Sequence, residues 1–190
     1  MAALDFPVHV FLDTQVYIRF NFQYQSTTFK ALKDLISKDL VTLVITNIVV
    51  REVEANIDRS VRHAFNFQKK FIKEARSLAG SGVAGVADKI QAFDRDEVIK
   101  DLVKQFNDFL TEVDADIVET NDVSIDELMD DYFGGAPPFG GGQPKAEFPD
   151  AINVIALDEW AETEGVDIIA VSDDQAMRDA CAKTDHVEAV

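Results

Sequence analysis

Apolar positions along the chain alternate between two periods. "VHVFLD", residues 8–13, is a short apolar run closed by Asp13 and predicts a buried strand. From about residue 27 to 38, Phe29, Leu32, Leu35 and Ile36 recur at helical spacing. "VTLVIT" predicts a second strand, and helical patterns follow from 49 to about 79 and from 86 to about 113. "ADIVET" predicts a third strand and "SIDELMDDYF" a short acidic helix. "GGAPPFGGGQP" breaks regular structure through its Gly and Pro content. After it come a helix opened by "FPDAINVIAL", a buried strand in "VDIIAVS" and a helix in "DDQAMRDACAK". "DHVEAV" begins like one more strand, so the chain is expected to continue past Val190.

Strands alternating with helices predict an α/β fold, a parallel sheet between two helical layers. One domain over 1–190 is the simplest organisation, with a long helical pair at 51–113 and an acidic, Gly/Pro-rich insertion at 111–145. At 47% hydrophobic, with 14 Phe, the chain has material for a sizeable core. The lone Cys181 excludes an internal disulfide and a cysteine-based zinc site, and reads as a buried small residue. "MAALDFPVHV" lacks the basic start and apolar run of a leader, and "LVTLVITNIVV" is too short to span a bilayer. A soluble, cytoplasmic protein without membrane partners is expected.

The net charge of −17 argues against a polyanionic partner until its distribution is read. Residues 111–133 carry nine Asp and Glu and no Lys or Arg, whereas 51–76 carry seven Lys and Arg against four acids. Within that basic stretch Arg59, Arg62, Lys69, Lys73 and Arg76, with Asn66 between, recur at three- and four-residue steps. They read either as a solvated helix face or as a stripe that meets the phosphates of RNA.

The chemistry lies in the acids. Ligands of an open parallel sheet bind beyond the carboxyl ends of its strands. Asp13 follows the first strand, Glu52 sits early in the helix after the second, and Asp150 opens a helix directly after Pro149. Asp173 and Asp174 follow the strand "IIAVS". Each alone reads as a helix cap or first-turn acid, since carboxylates complement the amino end of a helix. Together, carboxylates at one sheet edge repel one another unless a cation neutralises them. Oxygen ligands suit Mg²⁺ or Mn²⁺, and three His with one Cys make zinc a poor alternative.

"VFLDTQVYI", "TNIVVREVEANI", "FPDAINVIAL" and "IIAVSDDQAM" resemble, in order, the four acidic motifs of the PIN domain family. The resemblance implies a Rossmann-like sheet and a catalytic, metal-binding set of Asp13, Glu52, Asp150 and Asp174. It places Thr14 and Ser172 as accessory hydroxyls, Asp173 as an accessory metal group and Glu54 off the site. Asn153, one turn from Asp150, reads as a residue that orients a ligand or as a buried polar cap. The implied activity is a Mg²⁺- or Mn²⁺-dependent endoribonuclease acting on single-stranded RNA and leaving 5′-phosphates. A toxin or defence role, a protein regulator such as an antitoxin, and a homodimer are further expectations. The helical pair and the acidic segment are larger than in small toxin-type members, which points to a larger bacterial branch. The alternatives are a structure-selective DNA nuclease and an inactive, protein-binding module. A HAD-type phosphatase is disfavoured because "DTQ" lacks the second Asp which that chemistry places two residues after the first.

"GSGVAG" at 80–85 matches a dinucleotide-binding fingerprint, but a helical pattern rather than a strand precedes it, so a helix-ending turn is expected. His63 flanks the basic stripe. Tyr17, Phe20, Phe22 and Tyr24 read as bases' stacking partners or as core.

Overall fold

A computed structural model describes residues 6–75, 93–140 and 144–190. Five parallel strands, β1 (Val8–Leu12), β2 (Val41–Thr46), β3 (Asp116–Val118), β4 (Ile168–Val171) and β5 (Val187–Ala189), form one sheet in the order β3-β2-β1-β4-β5. Seven helices are described: α1 (Thr14–Arg19), α2 (Thr27–Ile36), α3 (Asn47–Ala75), α4 (Arg95–Glu112), α5 (Ile125–Gly134), α6 (Phe148–Glu164) and α7 (Gln175–Cys181). The sheet lies between helical layers, as the alternating pattern predicts. Phe11, Leu43, Val44, Ile45, Ile168 and Ala170 are wholly buried, which is why the strands read as apolar runs rather than alternations.

The connections leave β1 in one direction through β2 to β3, then return to the other side of β1 for β4 and β5. Strand order therefore reverses between β1 and β4. A crevice opens at such a point, beyond the strands' carboxyl ends. Right-handed crossovers carry the early helices over one face and α6 and α7 over the other. An aromatic cluster of Tyr17, Tyr24, Phe29, Phe106 and Phe109 joins α1, α2 and α4 on the first face. On the opposite side the edge of His9 in β1 meets Trp160 of α6.

Tyr17, Phe22 and Tyr24 are buried in the core, so these three offer no face to a base, and Phe20 is half-buried against it. The apolar surroundings that bury Tyr17 and Tyr24 also push both phenols well above their usual range. Within the acidic segment 111–145, Asp116–Val118 of the expected strand "ADIVET" pairs in register with Val44–Thr46 as β3, so that part of the segment belongs to the sheet. Its Gly/Pro run is anchored: Phe139 is buried with Leu128 of α5 and Ala151 of α6, and Tyr132 and Phe148 pack around them. "GSGVAG" and Arg76 lie outside the described residues. Cys181 is buried, as its composition suggested, and burial pushes its thiol up to about 11. No helix among the described residues is long and apolar enough to cross a membrane.

Candidate metal centre

Strand register builds the first half of the site. Leu12 of β1 lies opposite Val171 of β4, and the Asp13 amide donates to the Val171 carbonyl at 3.1 Å. The residues that follow each strand, Asp13 and Ser172, are thereby neighbours. The Ser172 hydroxyl donates to Asp13 Oδ2 at 2.7 Å. Asp13 stands at the N-cap position of α1, yet its side chain makes no capping hydrogen bond. The capping explanation therefore fails for Asp13, and its carboxylate is directed across to β4.

The second half comes from helix packing. Glu52 lies in the second turn of α3, where the Thr14 hydroxyl donates to its Oε2 at 2.6 Å. The Thr46 hydroxyl accepts from the Val49 amide at 3.1 Å, fixing the start of α3, and donates to Asn153 Oδ1 at 2.6 Å. Asn153 thus acts as a buried tie from α6 to β2. Among the described residues the buried polar side chains are Asp13, Thr14, Thr46, Asn153 and Ser172. All five stand at the carboxyl end of the sheet. Burying polar groups costs free energy unless they are bonded, so their concentration at one place marks a built site.

Asp150 occupies the first turn of α6, whose start is set by Pro149 and by the packing of Phe148 on Tyr132 and Phe139. Among the described residues no hydrogen-bond donor or cation meets its carboxylate. Burial pushes its pKa up to about 7, and the charges of Asp13, Glu52, Glu147 and Asp174 push in the same direction. Carboxylate oxygens of Glu147, Asp150 and Asp174 all lie within 4.8 Å of one another. Asp13 and Glu52 stand outside that closest set but act on Asp150 through their charge. An unmet, partly buried carboxylate among four others is the donor chemistry that a hard divalent cation fits.

Asp174 has two functions. Its Oδ1 accepts from the Ala176 amide at 2.7 Å, so it caps α7, while its carboxylate also joins the cluster. The Ser172 hydroxyl accepts from the Asp174 amide at 3.1 Å, coupling it to Asp13. Asp173 is separated from the cluster: it forms an exposed ion pair with Arg19. Glu54, two residues past Glu52, is about 200° away around α3 and faces elsewhere. Glu147, the residue that sequence reasoning missed, sits at the N-cap of α6 with no capping hydrogen bond, one turn before Asp150. The three-residue step in "EFPD" was the available signal.

The basic residues of α3 divide. Arg62 is paired with Asp58 at 2.6 Å, and the Lys69 ammonium lies 4.3 Å over the Phe65 ring. Arg59 donates to Asn56 Oδ1 at 3.0 Å, and Lys73 is exposed.

The Asp150 pKa carries a sign. Between the ordinary value of 3.8 and about 7, the folded protein holds a proton that the unfolded chain has lost. Metal-free stability should therefore fall as pH rises through that window and level off above it. Melting temperatures measured in EDTA across pH 4–8 check this, with the pH-dependent part shrinking in Asp150→Asn.

The PIN domain family model matches residues 10–177. No curated protein matches the chain.

Proposed function

The chain belongs to the PIN domain family, whose members are generally metal-using nucleases, and on that premise we propose that it is a Mg²⁺- or Mn²⁺-dependent endoribonuclease acting on single-stranded RNA. The observation that carries the reading is the unmet Asp150 carboxylate, with Glu147 and Asp174 within 4.8 Å and Asp13 and Glu52 beside it. Asp150, Asp174 and Glu147 would hold the cation, together with Asp13 and Glu52. When bound, a divalent cation supplies a water of lowered pKa and charge stabilisation at the scissile phosphate.

The chain's own residues prepare that chemistry. Ser172 fixes the rotamer of Asp13 and Thr14 fixes that of Glu52, in each case through one oxygen, so the other stays available. The Asn153–Thr46 bond holds the first turns of α6 against β2, which keeps Asp150 beside Glu147 and Asp174. Asp150 holds its own proton near neutral pH and gives it up when positive charge enters. Asp173, tied to Arg19, would serve the site only at its rim.

Cleavage of a labelled single-stranded RNA in Mn²⁺, with EDTA and a DNA strand of the same sequence as the other arms, tests the reading. Metal-dependent cleavage of RNA with 5′-phosphate ends is expected. Cleavage of the DNA alone would transfer the site to a DNA nuclease, and no cleavage of either would make the chain an inactive member. The role of Glu147 is checked separately. Glu147→Gln should weaken Mn²⁺ binding roughly 10- to 100-fold in calorimetry, while the fold and melting temperature persist.

A further inference from the structure

The face of α3 that carries Glu52 does not end at the site. At steps of three and four residues it continues through Asn56, Arg59, His63, Phe67 and Lys70. Side chains confirm the alignment along its first turns: Asn56 Nδ2 donates to the Glu52 carbonyl at 2.8 Å, and Arg59 donates to Asn56 Oδ1 at 3.0 Å. From Glu52 to Lys70 the helix rises about 27 Å, at roughly 1.5 Å per residue. The buried positions of α3 are Val49, Val53, Ile57 and Val61 along its first half and Ala75 at its last residue.

Two large apolar side chains stand on the second half of α3 in solvent. Phe67 is 66% exposed and Phe71, one turn on, is 42% exposed. Cations surround them. Arg59, Lys70 and Lys73 are exposed, and among the described residues none of the three has an ion-pair partner. In a chain of net charge −17, an exposed strip of cations that have no ion-pair partner among the described residues, beside open aromatic rings, is an unusual surface. Exposed Phe without cations would suit an apolar protein partner; cations without rings would suit a solvated face. The combination fits a flexible polyanion with open ring systems, whose phosphates meet Lys and Arg while its bases stack on Phe.

We infer that the outer face of α3, from Arg59 through Phe67 and Lys70 to Phe71, is a docking track for an unpaired RNA strand whose scissile region lies at the carboxylate site. The inference rests on the nuclease reading for the direction of the strand, which runs from the crevice outward past Glu52. The strand must be unpaired because bases inside a duplex have no free faces to offer. Arg62 and Lys69 lie off the track, the first neutralised by Asp58 and the second stacked on Phe65.

The test is equilibrium binding of the whole protein to a fluorescein-labelled oligouridylate in EDTA, where no strand is cut. Phe67→Ala/Phe71→Ala should weaken binding by about ten- to a hundredfold, as expected for loss of stacking platforms. Lys70→Glu should weaken it further and flatten its salt dependence. Lys104→Glu, on α4 and paired with Asp108, should leave binding unchanged. A Phe67→Trp variant should show quenching of the new indole on titration with the oligouridylate. Unchanged affinity in both the double alanine and Lys70→Glu proteins, at unchanged melting temperature, would overturn the track. Hydrolysis of bis(p-nitrophenyl) phosphate by the wild-type protein in Mn²⁺ reads the nuclease reading separately, since that small diester has no strand to follow.

Discussion

Asp150→Asn should abolish metal-dependent RNA cleavage by several orders of magnitude and at the same time make the metal-free protein more stable. Both effects have one cause. The carboxylate is partly buried, has no donor or cation among the described residues, and carries a pKa pushed up to about 7 by burial and by four neighbouring acids. An amide in its place keeps the shape but removes the charge a divalent cation would be drawn to. It also removes the burial of a charge and the repulsion from its neighbours, which together disfavour the ionised site by on the order of a few kcal/mol above neutral pH. A residue that merely complemented a helix end would behave oppositely, with activity preserved and stability slightly lowered. RNA cleavage in Mn²⁺ and the melting temperature in EDTA at pH 8, measured on the same preparation, read both effects.

The second large effect separates two adjacent residues. Asp174→Asn should lose activity on the scale of Asp150→Asn, because its carboxylate belongs to the cluster with Glu147 and Asp150. Its capping of α7 should survive, since Asn accepts from the Ala176 amide as well as Asp does. Asp173→Asn removes only an exposed ion pair with Arg19, worth about 0–1 kcal/mol, and should leave most activity in place. Steady-state cleavage rates and melting temperatures of the two variants check the contrast. Equal losses in both, or a larger loss in Asp173→Asn, would place the site on the wrong side of α7.

The strands were legible because buried parallel strands leave uninterrupted apolar runs, and "VHVFL", "VTLVIT" and "DIIAV" are such runs. Asp13, Glu52, Asp150 and Asp174 stand out in the sequence by their positions at strand and helix ends, and of these the structure brings carboxylate oxygens of Asp150 and Asp174 within 4.8 Å. What stayed hidden had physical causes. The helix Thr14–Arg19 is too short to show a period, and its one wholly buried ring, Tyr17, resembles a surface aromatic in sequence. The strand Asp116–Val118 was legible in "ADIVET", but it has one buried residue in three and sits inside an acidic stretch, so its pairing with β2 inside the segment read as an insertion was not. Glu147 stands two residues before Pro149 in what reads as loop, and the docking of Phe148 on Tyr132 and Phe139 accompanies its place beside Asp150 and Asp174. The partition of the basic stripe depended on partners, Asp58 for Arg62 and Phe65 for Lys69, that spacing alone does not assign.

The proposed chemistry requires the carboxylates to form a cation site rather than a set of helix caps. Free Mn²⁺ followed by electron paramagnetic resonance during titration of the protein at pH 7.5 measures this without any nucleic acid. Saturable uptake by the wild-type protein that is lost in Asp150→Asn and weakened in Glu147→Gln is expected. Identical uptake by wild type and Asp150→Asn, or none by the folded wild type, would contradict it.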